Sequence, residues 1–245
     1  MTAAFPSHKQ EEWRYADLDA LKPVWEQFAE PVTLTVGEGE SLEEVWLPSI
    51  GDVQLRRVQL ALGPQAKARI FALNAAPVYG RIEVEVSLDE GADFELFGAN
   101  VGTGLSTNEV VTNIKHVGIA GRSRQTIRSV LNGKAVGSYL GKVEVARSAQ
   151  QTDAEQSAKA MLLDRGATAN CKPELEIFAD DVKCAHGATV GELDAMQLFY
   201  AESRGMDPAT ARALLLEGFV MGLWDSAKDS DAICTAAREA LRRVV

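Results

Sequence analysis

Short stretches in which apolar and polar residues alternate fill the middle of the chain, from about Val53 to His186. The clearest are Val53/Leu55, Ile82/Val84/Val86, Phe94/Leu96, Val143/Val145 and Leu175/Ile177. A period of two is typical of half-buried β-strands, because successive side chains of a strand point to opposite faces of its sheet. Segments rich in Gly, Asp and Asn, such as 88–93 and 131–137, separate the stretches and favour turns. The pattern therefore predicts many short strands.

The connections between these strands limit the fold. Most are too short for an amphipathic helix, which argues against an α/β sheet wound on both faces and leaves a sandwich, a barrel or a coiled β-solenoid. The chain shows no exact tandem repeat, but a solenoid does not require one. Residues 150–163 interrupt the alternation, and for them we predict a loop with one helical turn. The residues alone predict a mainly β core and leave the three architectures open.

Helices are predicted on the N-terminal side of this core. Apolar residues between Glu11 and Phe28 recur every three to five positions, which favours short helices interrupted near Pro23. The acidic, glycine-containing stretch that follows reads as a connector with room for one short strand. We therefore assign residues 1–48 to an N-terminal helical region with its connector, and residues 49–188 to the β core.

A second helical module is predicted after the core. Thr189 and Glu192 form a Ser/Thr-x-x-Glu pattern, which is typical of a helix start. Gly205 would end that helix in a left-handed conformation, and Asp207-Pro208 would begin the next one. A further helix closes the chain. Residues 189–245 are therefore assigned to a C-terminal helical domain.

Charge and cysteine content exclude several classes of protein. The chain carries 25 Lys and Arg against 35 Asp and Glu, a formal charge of −10, which disfavours nucleic acid as a partner. Its three cysteines form no CxxC pair, and their odd number cannot complete a disulfide framework, so we expect a cytoplasmic protein. There is no basic and apolar leader and no run of about 18 apolar residues, so neither export nor membrane insertion is expected.

Sequence patterns of common enzyme classes are missing as well. The chain contains no Walker A loop, no Rossmann glycine fingerprint, no HExxH and no GxSxG. The segment 102–106 (GTGLS) is a glycine turn without the lysine that a phosphate-binding loop needs. We therefore expect a non-catalytic protein with no ATP hydrolysis of its own.

The stretch 152–206 resembles the signature region of the SufB/SufD family, in particular its SufD branch. The resemblance is carried by Lys172–Ile177 (KPELEI), Asp180–Thr189 (DDVKCAHGAT), Gln197–Tyr200 (QLFY) and Ser203–Gly205 (SRG), in the order that the family shows. The N-terminal segment Glu11–Tyr15 (EEWRY) is also similar to the family pattern. Between these regions the chain shares the general residue pattern of the family but no motif, and it looks short for the family.

The resemblance implies a right-handed parallel β-helix core with helical regions on both sides. It also implies a scaffold subunit of the SUF iron–sulfur cluster assembly system, which pairs with SufB and docks the ABC-type ATPase SufC through its C-terminal helices. A purely structural adaptor that bridges the two partners and contacts no metal remains an alternative. Whether the isolated chain forms a homodimer, and whether reduced flavin binds the complex, stays open.

Cys184 and His186 are the candidate metal ligands. They are two residues apart, so on an extended strand both side chains lie on the same face. A thiolate and an imidazole suit iron, but two ligands cannot complete its coordination, so a partner must supply the rest. The resemblance places His186 near a SufB cysteine across a transient cluster, with Cys184 beside it and no cofactor held tightly by the isolated chain. The competing interpretation of Cys184 is core packing.

Three other residues that could bind metal have plainer interpretations. Cys171 lies where the family more often has a small hydroxyl residue, so we expect a buried or surface thiol there. Cys234 lies next to Ile233 in the last predicted helix and reads as a small core residue. His116 is a lone histidine in an alternating stretch, which is more often structural than a ligand.

Two further hypotheses concern surfaces and chemistry. The candidate docking residues on the C-terminal helices are Phe199, Tyr200, Leu214, Leu215 and Phe219. A module of about three short helices has little core of its own, so part of this apolar face is expected to serve a partner, unless it caps the β core. A thiol enzyme with Cys184 as nucleophile and His186 as base is the least favoured hypothesis, because no third orienting group is evident.

Overall fold

The computed structural model describes residues 4–245, so the first three residues of the predicted N-terminal region lie outside the described residues. Twelve strands in the described chain form a stack of coils, and each coil contributes one strand to each of two sheets. In chain order the strands are β1 (Val32–Val36), β2 (Ser41–Trp46), β3 (Val53–Leu62), β4 (Lys67–Asn74), β5 (Tyr79–Leu88), β6 (Asp93–Gly102), β7 (Thr107–His116), β8 (Arg122–Leu131), β9 (Val136–Val145), β10 (Asp153–Leu162), β11 (Thr168–Ile177) and β12 (Lys183–Glu192).

The two sheets have a simple topology. One has the order β1-β3-β5-β7-β9-β11 and the other β12-β10-β8-β6-β4-β2, with every neighbouring pair parallel. Odd strands meet only odd strands and even strands only even ones, which is the arrangement of a β-solenoid rather than of a sandwich or a barrel. The predicted β-helix core is therefore confirmed. The stack starts at Val32 and ends at Glu192, so it extends beyond both limits assigned from the sequence.

The alternation in the sequence becomes columns of side chains inside the solenoid. Leu60, Val86, Ile114 and Val143 occupy the same register position in successive coils and are almost fully buried. Burying a side chain of this kind contributes about 1.5–3 kcal/mol relative to leaving it exposed. At the corners the coils approach closely: a Cβ on Gly118 would lie 2.1 Å from the backbone nitrogen of Glu90 in the preceding coil, so only glycine fits there.

Short helices precede the stack and pack on the outer face of the odd-strand sheet. They are α1 (Leu18–Leu21) and α2 (Trp25–Phe28), flanked by single 3-10 turns at Glu11–Trp13 and Lys22–Val24. The fully buried guanidinium of Arg81 lies 3.7 Å from the Trp13 ring centroid and pairs with Glu109 at 3.1 Å and Glu83 at 2.8 Å. The predicted N-terminal helices are confirmed, and a buried ion pair lies beneath them.

The N-terminal helices also reach the other end of the stack. The Lys172 ammonium on β11 lies 2.7 Å from a carboxylate oxygen of Glu11, while Arg57 on β3 donates to the carbonyls of Phe28 and Ala29 at 3.0 and 2.7 Å. The short segment therefore contacts both an early and the last coil.

The C-terminal helices pack on the outer face of the even-strand sheet. They are α3 (Ala195–Ser203), α4 (Pro208–Val220) and α5 (Ser230–Arg242), with a 3-10 turn at Met221–Leu223. Leu216, Val220 and Trp224 lie in one apolar cluster with Phe71 of β4, and the Trp224 indole donates to the Phe97 carbonyl at 3.2 Å. None of the helices within residues 4–245 combines the length and apolar character needed to cross a bilayer.

Two of the predicted helix boundaries are confirmed and one is wrong. Gly205 follows α3 with a φ of +92°, and Asp207 caps α4 by accepting from the amides of Ala209 and Thr210. The predicted helix start at Thr189 is wrong, because Thr189 is paired with Lys159 in the parallel ladder and β12 continues to Glu192. Strand pairing with the preceding coil outweighs the local helix signal, and Asp194 caps α3 instead.

The loop predicted at residues 150–163 is also wrong, because β10 occupies most of it. The inward positions of this strand are Ala154, Gln156, Ala158 and Ala160. Small and polar inward residues give too little contrast for an alternation to be recognised. The neighbouring coils supply the hydrogen bonds that make the strand.

His116 lies inside the solenoid at 1% exposure. Its Nε2 is 2.9 Å from the Ser123 hydroxyl, and its Nδ1 has no hydrogen-bond partner within residues 4–245. Burial lowers the pKa of His116 from 6.5 to about 4. The folded protein therefore holds this ring neutral at pH values where the unfolded chain protonates it.

We predict that this one ring makes folding sensitive to mild acid. Between pH 6.5 and about 4 unfolding takes up a proton at His116, so stability falls as the pH falls. The loss attributable to this group from pH 7 to pH 4 is about 3 kcal/mol. Urea unfolding at both pH values should show His116→Gln losing that much less than the wild type, whereas His8→Gln, at an exposed position, should behave like the wild type. Equal losses in all three proteins would contradict this assignment.

Candidate functional site

The last coil leaves one end of the solenoid open. β11 pairs with β9 and β12 pairs with β10, and no strand of the described chain lies on their other sides. Such edges expose backbone N–H and C=O groups that can pair with another polypeptide. The C-terminal helices pack on the side of the stack rather than across this end. The open end is therefore a place where inward side chains of the last coil can be reached from outside.

Cys184 and His186 both lie on β12, on one face of the strand, as the sequence predicted. Cys184 is in register with Ala154, a core residue, and packs against the solenoid core while remaining half-buried. His186 is in register with Gln156, which is 1% exposed, yet His186 itself is exposed because no further coil covers it. The pair thus faces the interior column and opens to solvent at the end of the stack.

A second thiol, Cys171, lies on β11, on the opposite wall of the same coil. It is in register with Tyr139 on β9 and packs half-buried against the core. Cys234, by contrast, packs among the C-terminal helices, away from the open end. Within residues 4–245 no group of three or more His, Cys, Asp or Glu side chains is placed to hold a metal ion. The open end therefore offers Cys184 and His186 as an incomplete set of donors.

The environment of the thiols opposes nucleophilic chemistry. Burial raises the pKa of the Cys184 thiol, and the nearby Asp153 carboxylate raises it further. Burial also raises the pKa of Cys171. An activated cysteine nucleophile needs a lowered pKa, so the thiol-enzyme hypothesis finds no support in this geometry. A metal ion can still displace the proton on binding, which makes ligation dependent on pH.

The interior behind the pair is polar, which the sequence analysis missed. The Gln125 side-chain oxygen accepts from the Thr112 hydroxyl at 2.5 Å and from the Tyr139 hydroxyl at 3.0 Å. Gln156 lies between Gln125 and His186 in the same register column. Gln156, at an inward position of β10, is the residue in the sequence that could have indicated a polar interior. The sequence pattern does not predict β10 as a strand, so this signal is lost.

The candidate docking residues divide into two groups. Phe199, Tyr200 and Leu214 are 65%, 61% and 52% exposed, whereas Leu215 and Phe219 are half-buried. Phe219 packs against the helical core and lies under the Arg128 guanidinium at 5.8 Å. Met196, also on α3, is 72% exposed. The large apolar side chains of α3 and Leu214 on α4 are thus open to solvent.

The chain is similar to known proteins of one family. The model of the family described as "SUF system FeS cluster assembly, SufBD core domain" matches residues 42–219, which include nearly the whole stack, both candidate ligands, α3 and most of α4. The chain belongs to the SufBD family. The resemblance drawn from the signature motifs is thereby confirmed.

Several SufBD proteins are similar to the chain. A SufBD family protein of Synechocystis is 32% identical over 68% of this chain and 37% of its own length. The SufD proteins of Escherichia coli and Bacillus subtilis are 37% and 28% identical, over 44% and 67% of this chain and 25% and 36% of their own lengths. The chain is thus a SufD-like member, and it spans well under half the length of these relatives.

The raised pKa of Cys184 leads to a labelling prediction. At pH 7 the thiol is expected to react with iodoacetamide more slowly than N-acetylcysteine, and the rate should rise as the pH is raised above 9, because only the thiolate reacts. Peptide mass spectrometry separates Cys184 from the other two thiols, and Cys184→Ser provides the blank. Rapid labelling at pH 7 would revive the thiol-enzyme hypothesis.

Proposed function

We propose that this chain is a non-catalytic scaffold subunit of the SUF iron–sulfur cluster assembly complex. In this proposal it pairs through its open end with a SufB-like scaffold, and His186, with Cys184 beside it, contributes to an interfacial site for a nascent cluster. The observation that carries the proposal is that both donors lie on β12, whose outer edge pairs with no strand of the described chain. Cys184 is half-buried there and His186 is exposed. The cluster is the cargo of the complex.

The two edges of the open end differ in their capacity to pair. β11 contains Pro173, which has no N–H, and carries three charged residues, features that protect an edge from association. β12 is ten residues long with charges only at its ends, Lys183 and Glu192. A Cβ on Gly187 or Gly191 would meet no heavy atom within 4 Å. These features favour β12 as the strand that a partner extends.

The donor chemistry fits an interfacial cluster. A thiolate and an imidazole both ligate iron, and clusters with mixed Cys and His ligands are an established type. Two donors on one edge leave positions for a partner to fill, so cluster binding would depend on assembly. The same β12 edge also offers a pairing site to a second copy, which is how the isolated chain would form a homodimer.

The C-terminal helices supply the second contact. Met196, Phe199, Tyr200 and Leu214 present large apolar side chains on α3 and α4, and every residue of α3 is at least partly exposed. An exposed apolar patch of this kind marks a protein interaction site. We assign it to a SufC-like ABC ATPase, whose nucleotide hydrolysis would supply the motion that this chain cannot generate.

The adaptor hypothesis keeps one observation in its favour. Cys184 packs against the solenoid core, as a structural cysteine would. In that case the chain would join the scaffold to the ATPase and contribute no ligand. A double substitution of Cys184 and His186 separates the two hypotheses, because only the adaptor hypothesis leaves the cluster yield unchanged.

Removing the exposed imidazole should impair cluster assembly without preventing complex formation. In His186→Ala co-expressed with SufB-like and SufC-like partners, iron and sulfide per anaerobically purified complex should fall at least about tenfold, since a ligand rather than its support is lost. Size-exclusion chromatography should show the complex intact. His8→Ala is the matched control, because His8 is exposed and lies on the N-terminal segment. A normal cluster yield in His186→Ala would remove His186 from the site.

Charge on the apolar helix face should weaken ATPase docking. Leu214→Asp alters a side chain that is 52% exposed, so the fold should survive while the ATPase recovered by co-purification falls by about tenfold or more, as for a central interface residue. Leu105→Asp is the matched control, since Leu105 is 80% exposed on a corner of the stack. Equal recovery with both variants would place the docking surface elsewhere.

A further inference from the structure

Gln156 occupies an unusual position beside the candidate ligands. On β10 it is in register with Gln125 on β8 and with His186 on β12, so the three side chains form one column that ends at the open end. Gln156 is 1% exposed and is flanked on its strand by inward Ala154 and Ala158. A long amide thus stands in a small-residue part of the core, on the strand next to that of His186 and in register with it.

The hydrogen bonds of this column are incomplete. The Gln156 Nε2 donates to the Glu174 carbonyl at 3.5 Å, which brings the amide towards the last coil, but its Oε1 has no partner among the described residues. The Gln125 Oε1 accepts two hydrogen bonds, from Thr112 and Tyr139. The Gln125 Nε2 has no hydrogen-bond partner in the described part of the chain. A buried amide oxygen without a donor is costly and rare, so this one calls for a donor from a neighbouring group.

We propose that Gln156 is a positioning residue for His186: its Oε1 accepts the N–H of the imidazole and so fixes which ring nitrogen faces the open end. The inference rests on the proposed function, in which the other nitrogen binds iron. Metal-binding histidines commonly donate their second N–H to a carbonyl or carboxylate, which sets the tautomer and the plane of the ring. Gln156 provides that carbonyl from the coil beneath, and an apolar residue there could not.

Only one other donor competes within the column. If the Gln125 Nε2 donated to the Gln156 Oε1, both unpaired atoms would be satisfied and the imidazole would receive nothing. The two arrangements differ in a property of His186 that can be measured without metal or partner, namely the ratio of its two neutral tautomers.

The test uses the isolated, metal-free chain with ¹⁵N-labelled histidine. The sequence has three histidines, and long-range ¹H–¹⁵N spectra of the neutral rings report the tautomer of each. One tautomer of His186 should dominate in the wild type, and Gln156→Leu should shift the ratio about fivefold towards that of the side chain of free histidine, the effect of one ordinary hydrogen bond. Ser157→Ala, on the same strand but the opposite face, should leave it unchanged.

Further measurements keep the outcome decisive. The His116 resonances report the fold of the core, because that buried ring contacts Ser123 on β8, two coils before the open end. Gln156→Met serves as a near-isosteric second variant if the leucine protein unfolds. A wild-type ratio equal to that of free histidine, or one unmoved by loss of the Gln156 amide, overturns the proposal in favour of the Gln125 pairing. A normal cluster yield in His186→Ala would instead reject the proposed function while leaving this contact standing.

Discussion

Backbone hydrogen bonding between successive coils is the interaction on which the rest of the structure depends. The strands of each coil pair with those of the coil before it, so every strand has neighbours on both sides except the strands at the two ends of the stack. At the open end the chain protects β11 with Pro173 and charges but leaves β12 nearly free of them. At this end the strand with the less protected edge is also the strand that bears Cys184 and His186. In the proposed function, pairing with a partner and binding of a cluster would therefore depend on the same ten residues.

The side chains inside the solenoid change in character along its axis. In the middle, columns such as Leu60, Val86 and Ile114 are apolar and tightly buried. In the even-strand sheet one column changes character instead: it carries apolar Ile70 and Leu96 and continues towards the open end with Gln125, Gln156 and His186, which need hydrogen-bond partners. Apolar coils hold the stack together, whereas the later even strands place two buried amides and an exposed imidazole in line with the open end.

The sequence revealed the elements whose signals are strong and local. Alternation predicted the strands, Gly205 and Asp207 marked helix boundaries correctly, and the spacing of Cys184 and His186 placed them on one face of a strand. Errors arose where contacts distant in sequence decide the outcome. Pairing with Lys159 keeps Thr189 in a strand, and neighbouring coils impose a strand around Ala154 despite its weak pattern. The order of the coils, which alone makes β12 the last strand, could not be read from any local pattern.

The ion pair between Glu11 and Lys172 has a consequence for how the chain is made. Glu11 leaves the ribosome long before Lys172 is synthesised, so the N-terminal helices emerge without the far part of the surface on which they come to rest. Arg57 offers them an earlier anchor through the carbonyls of Phe28 and Ala29. The N-terminal segment can therefore pack against the first coils early. It forms its contact with Lys172 only once the final coil has been added. The ion pair can form only after β11 has been made, shortly before the chain reaches β12 with Cys184 and His186.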